Sequence, residues 1–129
     1  MSFRVLIVDD SPSMRKMIGR VITLSGLDVE TVFEACDGIE ALDIVEQEWI
    51  DVILTDINMP RMNGEELIRQ LASKGITESV PVIVVSTDAT TMRRENVQNL
   101  GARGYIVKPF LPEALRDEVE RVTGVACAD

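Results

Sequence analysis

The 129-residue chain contains no histidine. That excludes Ser-His-Asp and Cys-His nucleophilic sites, His-ligated zinc and any imidazole general base. Chemistry here must use carboxylates, hydroxyls, lysine or thiols. Thiols are scarce as well. Cys36 and Cys127 are the only cysteines, and they form neither a metal-spaced pair nor a disulfide framework. With Cys36 expected in a strand and Cys127 among the last residues, both are expected as free thiols in a reducing compartment. No apolar run approaches the roughly 18 residues that a membrane span needs. Met1-Ser2-Phe3-Arg4 leads into a short apolar run, Val5 to Val8, before two aspartates, which is too little for a secretory signal. A cytoplasmic protein with no membrane attachment is expected. Basic residues are the minority: 13 Lys and Arg against 22 Asp and Glu give a net charge of −9. That balance argues against a nucleic-acid partner held by phosphate neutralisation.

What is present has the composition of a globular domain, with 46% apolar and 27% charged residues. The length suits one domain, expected to span residues 1–129. Short β-branched runs recur at Val5-Leu6-Ile7-Val8, Thr31-Val32-Phe33, Val52-Ile53-Leu54, Val82-Ile83-Val84-Val85 and Tyr105-Ile106-Val107. Most lack polar alternation, as strands covered on both faces do. Between them the spacing turns helical. Met14, Met17, Ile18, Val21 and Ile22 form one stripe, with Ser11 placed to cap, Pro12 at the first helical position and Gly26 able to end the helix. Its methionines read as core. Further helices are predicted over 38–47, 64–74, 90–100 and 112–123, the last three followed by Gly75, Gly101 and Gly124. Five strict βα repeats predict an α/β, doubly wound parallel sheet with right-handed crossovers. In such sheets ligands bind beyond the carboxyl ends of the strands.

Those ends carry Asp9-Asp10 after the first strand, Asp56 after the third, Ser86-Thr87 at the fourth and Lys108-Pro109 at the fifth. Each has a plainer reading alone: Asp as a turn former or helix cap, Ser86 as a cap, Lys108 as a loop residue. Together they are harder to set aside. Three converging acids raise one another's pKa unless a cation sits among them. An oxygen-only donor set points to a hard ion, and partly hydrated Mg²⁺ fits best. Magnesium in turn calls for a phosphoryl oxygen, whose neighbours Lys108 and Ser86 could bind.

The ordered set Val8-Asp9-Asp10, Asp37-Gly38, Asp56-x-x-Met59-Pro60-x-Met62-x-Gly64, Ser86 and Gly101-Ala102-x-Gly104-Tyr105-x-x-Lys108-Pro109-Phe110 resembles a response-regulator receiver domain across residues 4–123. The resemblance implies the flavodoxin-like, CheY-like (βα)5 fold with strand order 2-1-3-4-5. It also implies that Asp56 is the phosphoacceptor, that Asp9, Asp10, Asp56 and the Asn58 backbone carbonyl hold Mg²⁺, and that Lys108 and Ser86 bind the phosphoryl group. Lys108-Pro109 resembles the family's cis peptide. Ser86 and Tyr105 match the switch pair, in which the hydroxyl moves toward the phosphoryl group and the aromatic turns inward. The plainer reading of Tyr105 is a half-buried aromatic with its hydroxyl in water.

In the family the positions of Asn58 and Asp88 influence hydrolysis, and this amide and acid could orient a water. Thr87 is larger than the Ala or Gly usual at its position and is expected to narrow access. The implied partners are a sensor histidine kinase as phosphodonor and an output protein, such as a flagellar motor switch component, on the face made by the fourth helix, fifth strand and fifth helix. The implied state is a stand-alone monomer with a chemotaxis-type role. A phosphorelay intermediate and the receiver part of a longer regulator are the alternatives. A Mg²⁺-dependent aspartyl phosphatase is disfavoured because Asn58 stands where such enzymes place a proton-donating acid. A flavodoxin-like cofactor binder is disfavoured because Asp9 and Asp10 repel an anion.

Overall fold

The computed structural model describes residues 2–124, so Cys127 lies outside the described residues. Five strands and five helices alternate: β1 (Phe3–Val8), α1 (Pro12–Leu24), β2 (Val29–Ala35), α2 (Gly38–Gln47), β3 (Val52–Thr55), α3 (Gly64–Ser73), β4 (Val82–Ser86), α4 (Thr91–Leu100), β5 (Gly104–Val107) and α5 (Pro112–Thr123). All neighbouring strands pair in parallel, in the order β2-β1-β3-β4-β5. This is the doubly wound sheet expected from the βα repeats.

The period-2 geometry of a strand divides its side chains between two cores. Phe3, Val5 and Ile7 of β1 pack with Ile18 and Ile22 of α1 and with Leu115 and Val119 of α5. Leu6 and Val8 point the other way, with Ala41 of α2, Leu67, Ile68 and Leu71 of α3 and Val97 of α4. The central strands β3 and β4 are buried along their whole length, because helices cover both faces.

Several local expectations need correction. The second strand begins at Val29, two residues before the predicted run, because Phe3 and Arg4 of β1 give it partners to pair with. It alternates half-buried and exposed positions, as an edge strand with thin cover does. Cys36 is not in the strand. It follows Ala35, and its N–H donates to Glu40 Oε1 (2.9 Å) at the start of α2 instead of extending the ladder. α3 stops at Ser73, one residue early, and a 3-10 turn over Ile76–Glu78 leads to β4. Met17 stands 43% exposed, so the α1 stripe buries Ile18 and Ile22 and leaves Met17 at its margin.

At the other edge of the sheet, α5 covers the main chain of β5. The Tyr105 N–H donates to Glu118 Oε2 (2.7 Å), and Arg121 donates to the Arg103 carbonyl (2.8 Å) while pairing with Glu118 (2.8 Å). Burial pushes the Glu118 carboxyl upward, but Arg121 and the Tyr105 N–H outweigh it and hold the group below its usual range.

Leu67 has no exposed surface and sits where α3 meets β3. Leu67→Ala is expected to destabilise the fold by about 2–5 kcal/mol. Urea unfolding followed by circular dichroism should show a lower midpoint with an unchanged slope.

Candidate functional site

Backbone bonds carry the ladder one step past the strands and deliver the site residues together. The Asp9 N–H donates to Ala35 O (3.0 Å), the Asp56 N–H to Val8 O (2.9 Å) and the Lys108 N–H to Ser86 O (2.8 Å). Four helices then start at this same edge. Their N-caps Ser11, Asp37, Asn63 and Thr90 each accept a backbone N–H from the first turn. Ser11 and Pro12 occupy the predicted cap and first positions. The α4 cap is Thr90, not Ser86, because Ser86 closes β4 itself.

Asp9, Asp10 and Asp56 each offer a carboxylate oxygen within 4.8 Å of the others. Asp9 is buried, Asp56 half-buried and Asp10 exposed. The Lys108 ammonium lies 3.4 Å from Asp9 Oδ2 and 3.6 Å from Asp56 Oδ2, and the lysine side chain is only 11% exposed. Its peptide bond to Pro109 is cis, as the resemblance implied. Asp9 Oδ1 accepts the Ser11 N–H (2.9 Å), and Asp56 Oδ1 accepts the Ile57 N–H (2.7 Å). Arg15 donates to the Asp9 carbonyl (2.7 Å) and pairs with Glu34 (2.9 Å), which fastens α1 to β2 beside the acids.

Burial is the main force raising the Asp9 pKa, and the Asp56 charge adds to it. The Ser11 N–H and Lys108 oppose the rise without cancelling it. One ammonium among three carboxylates leaves an excess of negative charge in a partly dry place. The donor set is all oxygen and half open to solvent. That suits a hard divalent cation that keeps some of its water, and it does not suit zinc or a soft metal.

Ser86 is buried, and its Oγ accepts the Asp88 N–H (3.1 Å). Tyr105 is half-buried, and its hydroxyl donates to the Asp88 carbonyl, a protein partner that the plainer reading of that residue does not include. The Arg94 guanidinium lies 4.9 Å from the centre of the Tyr105 ring. Thr87 and Asn58 are exposed at the rim. The Asp88 carboxylate is occupied: it accepts from the Thr90 N–H (2.9 Å) and hydroxyl (2.7 Å) and pairs with Arg93 (3.4 Å). The Thr90 N–H leads in lowering its pKa. Arg93 also pairs with Glu65 (2.5 Å), joining α4 to α3.

Two site-shaping residues escaped the sequence reading. In the sequence Asp37 is one member of a motif, and Arg61 an unspecified position within Met-Pro-x-Met. They form an ion pair at 2.6 Å beside the loop that follows Asp56. An Asp-Gly pair ahead of an amphipathic run signals a helix cap, but nothing in the sequence announces the partner 24 residues away.

A family model described as the response regulator receiver domain matches residues 5–120. The chemotaxis protein CheY homolog of Campylobacter jejuni is 37% identical over 127 residues, covering 98% of this chain and 96% of that protein. Chemotaxis protein CheY1 of Helicobacter pylori is 37% identical over 122 residues, covering 94% and 97% respectively. The solved structure of Vibrio cholerae chemotaxis protein CheY4 matches with a TM-score of 0.81 at 35% identity, over 95% of this chain and 99% of that one.

The raised Asp9 pKa has a consequence for stability. An acid whose folded pKa exceeds its unfolded value makes stability fall as pH rises from the ordinary carboxylate range through the raised value. At a pH above the raised value, without divalent ions, the cost is fully present. Asp9→Asn is therefore expected to stabilise the metal-free protein at such a pH. Thermal unfolding in a chelator should show that gain, and it should vanish below the ordinary carboxylate range.

Proposed function

The chain belongs to the response regulator receiver family, and from that premise we propose that it is a stand-alone, CheY-like phosphoacceptor switch of a two-component system. In this reading residues 1–129 act as one monomeric, cytoplasmic domain. A sensor histidine kinase supplies the phosphoryl group, and Asp56 accepts it. The observation that carries the reading is the Lys108 ammonium set between Asp9 and Asp56, with Asp10 converging on the same point.

Asp9, Asp10, Asp56 and the Asn58 backbone carbonyl would hold Mg²⁺. When bound, the ion supplies charge neutralisation for the phosphoryl oxygens. The remaining work falls to the chain. Asp56 Oδ1 is engaged by the Ile57 N–H, which leaves Oδ2, the oxygen facing Lys108, to attack. The new O–P bond forms as the P–N bond to the donor imidazole breaks, and the nitrogen keeps the electron pair. Lys108 offsets the charge on the incoming phosphoryl oxygens. A carboxylate is a weak nucleophile toward an anion, so positioning and charge neutralisation provide most of the acceleration.

Ser86 and Tyr105 form the switch. Both hydroxyls are bound to the main chain of Asp88, so a shift of Ser86 toward the phosphoryl group moves the residue that also holds Tyr105. Asn58, Thr87 and Asp88 border the acceptor and set the rate of hydrolysis. The output face is α4, β5 and α5. It carries a groove lined by Arg94, Arg103, Tyr105, Glu118 and Arg121, in which the guanidiniums outnumber the carboxylate on a chain of net charge −9. An acidic partner segment fits it. The names of the two bacterial relatives favour chemotaxis, with a flagellar motor switch component as the target.

Incubation with acetyl phosphate and Mg²⁺ should add one phosphoryl group to the wild type, read by intact mass. Asp56→Asn should gain none. Labelling that survives in Asp56→Asn, or a wild type that takes no label, would defeat the proposal.

A further inference from the structure

The loop from Ile57 to Asn63 carries the Asn58 carbonyl and lies next to the acceptor. Its base is closed by the Gly64 N–H on the Ile57 carbonyl (2.8 Å). A side chain at Gly64 would overlap the Asp56 carbonyl and lie 2.9 Å from the Ile57 Cα, so only glycine permits that closure. At the tip the Met62 N–H donates to the Pro60 carbonyl (2.7 Å), which makes Pro60-Arg61-Met62 a γ-turn. Its central residue, Arg61, has φ of 62°. Among the described residues it is the only non-glycine with positive φ, a conformation an L side chain occupies at a cost.

Something must hold that turn, and the neighbouring helix does. Arg61 Nε donates to Asp37 Oδ2 at 2.6 Å. The Asp37 side chain is 2% exposed, and its other oxygen caps α2 by accepting the Glu40 N–H (2.9 Å). The Gly38 N–H donates to the Met62 carbonyl (3.0 Å), and a Cβ at Gly38 would come within 2.6 Å of the Met62 side chain. Burial alone would raise the Asp37 pKa, yet the Glu40 N–H and Arg61 keep it below its ordinary value, so it stays a charged anchor.

We propose that Asp37 and Arg61 are a positioning pair that holds the strained turn after Asp56 and thereby presets the Asn58 carbonyl for a divalent cation. This rests on the metal-binding reading given above. Neither residue touches the ion. The pair acts through the backbone, and such outer contacts commonly govern metal affinity.

Coulomb's law gives the opposite sign, which makes the test decisive. Removing the Arg61 charge from the loop that follows Asp56 should, if anything, tighten cation binding were charge alone at work. If the pair positions the loop, Arg61→Ala should weaken Mg²⁺ binding by about tenfold, measured by calorimetry on the full chain. Arg61→Gly loses the same charge but adopts positive φ freely, and it should recover most of the affinity. Asp37→Asn keeps a side chain able to cap α2 and should weaken binding as Arg61→Ala does, with helix content unchanged.

Hydrogen exchange of the Met62 amide in metal-free protein gives a second readout. It should quicken in Arg61→Ala and Asp37→Asn. Equal or tighter Mg²⁺ binding by Arg61→Ala, or unchanged Met62 exchange, would overturn the proposal. A wild type that binds no Mg²⁺ would instead defeat the metal-binding reading on which it rests.

Discussion

Three carboxylates share a space whose ligand oxygens lie within 4.8 Å, and one lysine is inserted among them. Their mutual repulsion is the constraint the rest of the molecule answers to. An isolated surface cluster would relax by spreading into water. Here Asp9 cannot spread, because β1 is covered on both sides and the residue itself is buried. Burial and repulsion therefore act together, and the group is held ready for a cation.

The fold supplies that confinement by its connectivity. In a parallel sheet every strand ends at the same edge, and every following helix begins there. Ser11, Asp37, Asn63 and Thr90 cap four helices whose positive N-terminal ends start from the same edge of the sheet as the acids. The dipoles ease the crowding without discharging it. Among the described residues every buried side-chain polar atom has a partner, so the excess charge at the acids is a matter of electrostatics and not of missing hydrogen bonds. The loops that border the site are tied to separate helices, Arg61 to α2 and Asp88 through Arg93 to α3. The second tie ends on Glu65 in the first turn of α3, so the β4–α4 loop is linked to the helix that follows the acceptor loop.

The architecture was largely legible in the sequence because apolar runs and helical stripes alternate with few exceptions, and because strand ends fall at residues that stand out chemically. Asp9, Asp10, Asp56 and Lys108 could be nominated from their places at those ends, and the fold brings their charged groups together. The extent of β2 was less legible, since an edge strand alternates and its pairing with Phe3 depends on a partner far along the chain. The use of the Asp88 carboxylate was hidden for a similar reason. Its ties to Thr90 and Arg93 arise from the turn into α4, which local composition does not announce. The Arg61 conformation was hidden most deeply, because a positive φ is normally signalled by glycine, and here an ion pair takes that role.

Glu118 and Arg121 cover the outer rim of β5 at Arg103 and Tyr105 with a carboxylate and a guanidinium, one accepting and one donating. They stand in for the carbonyl and amide of a sixth strand. Along that stretch the sheet cannot grow by recruiting backbone from another chain, which guards this edge against edge-to-edge polymerisation. It also sets the vocabulary of recognition there: a visitor must be read through side chains and shape, because the main chain has already been answered from within.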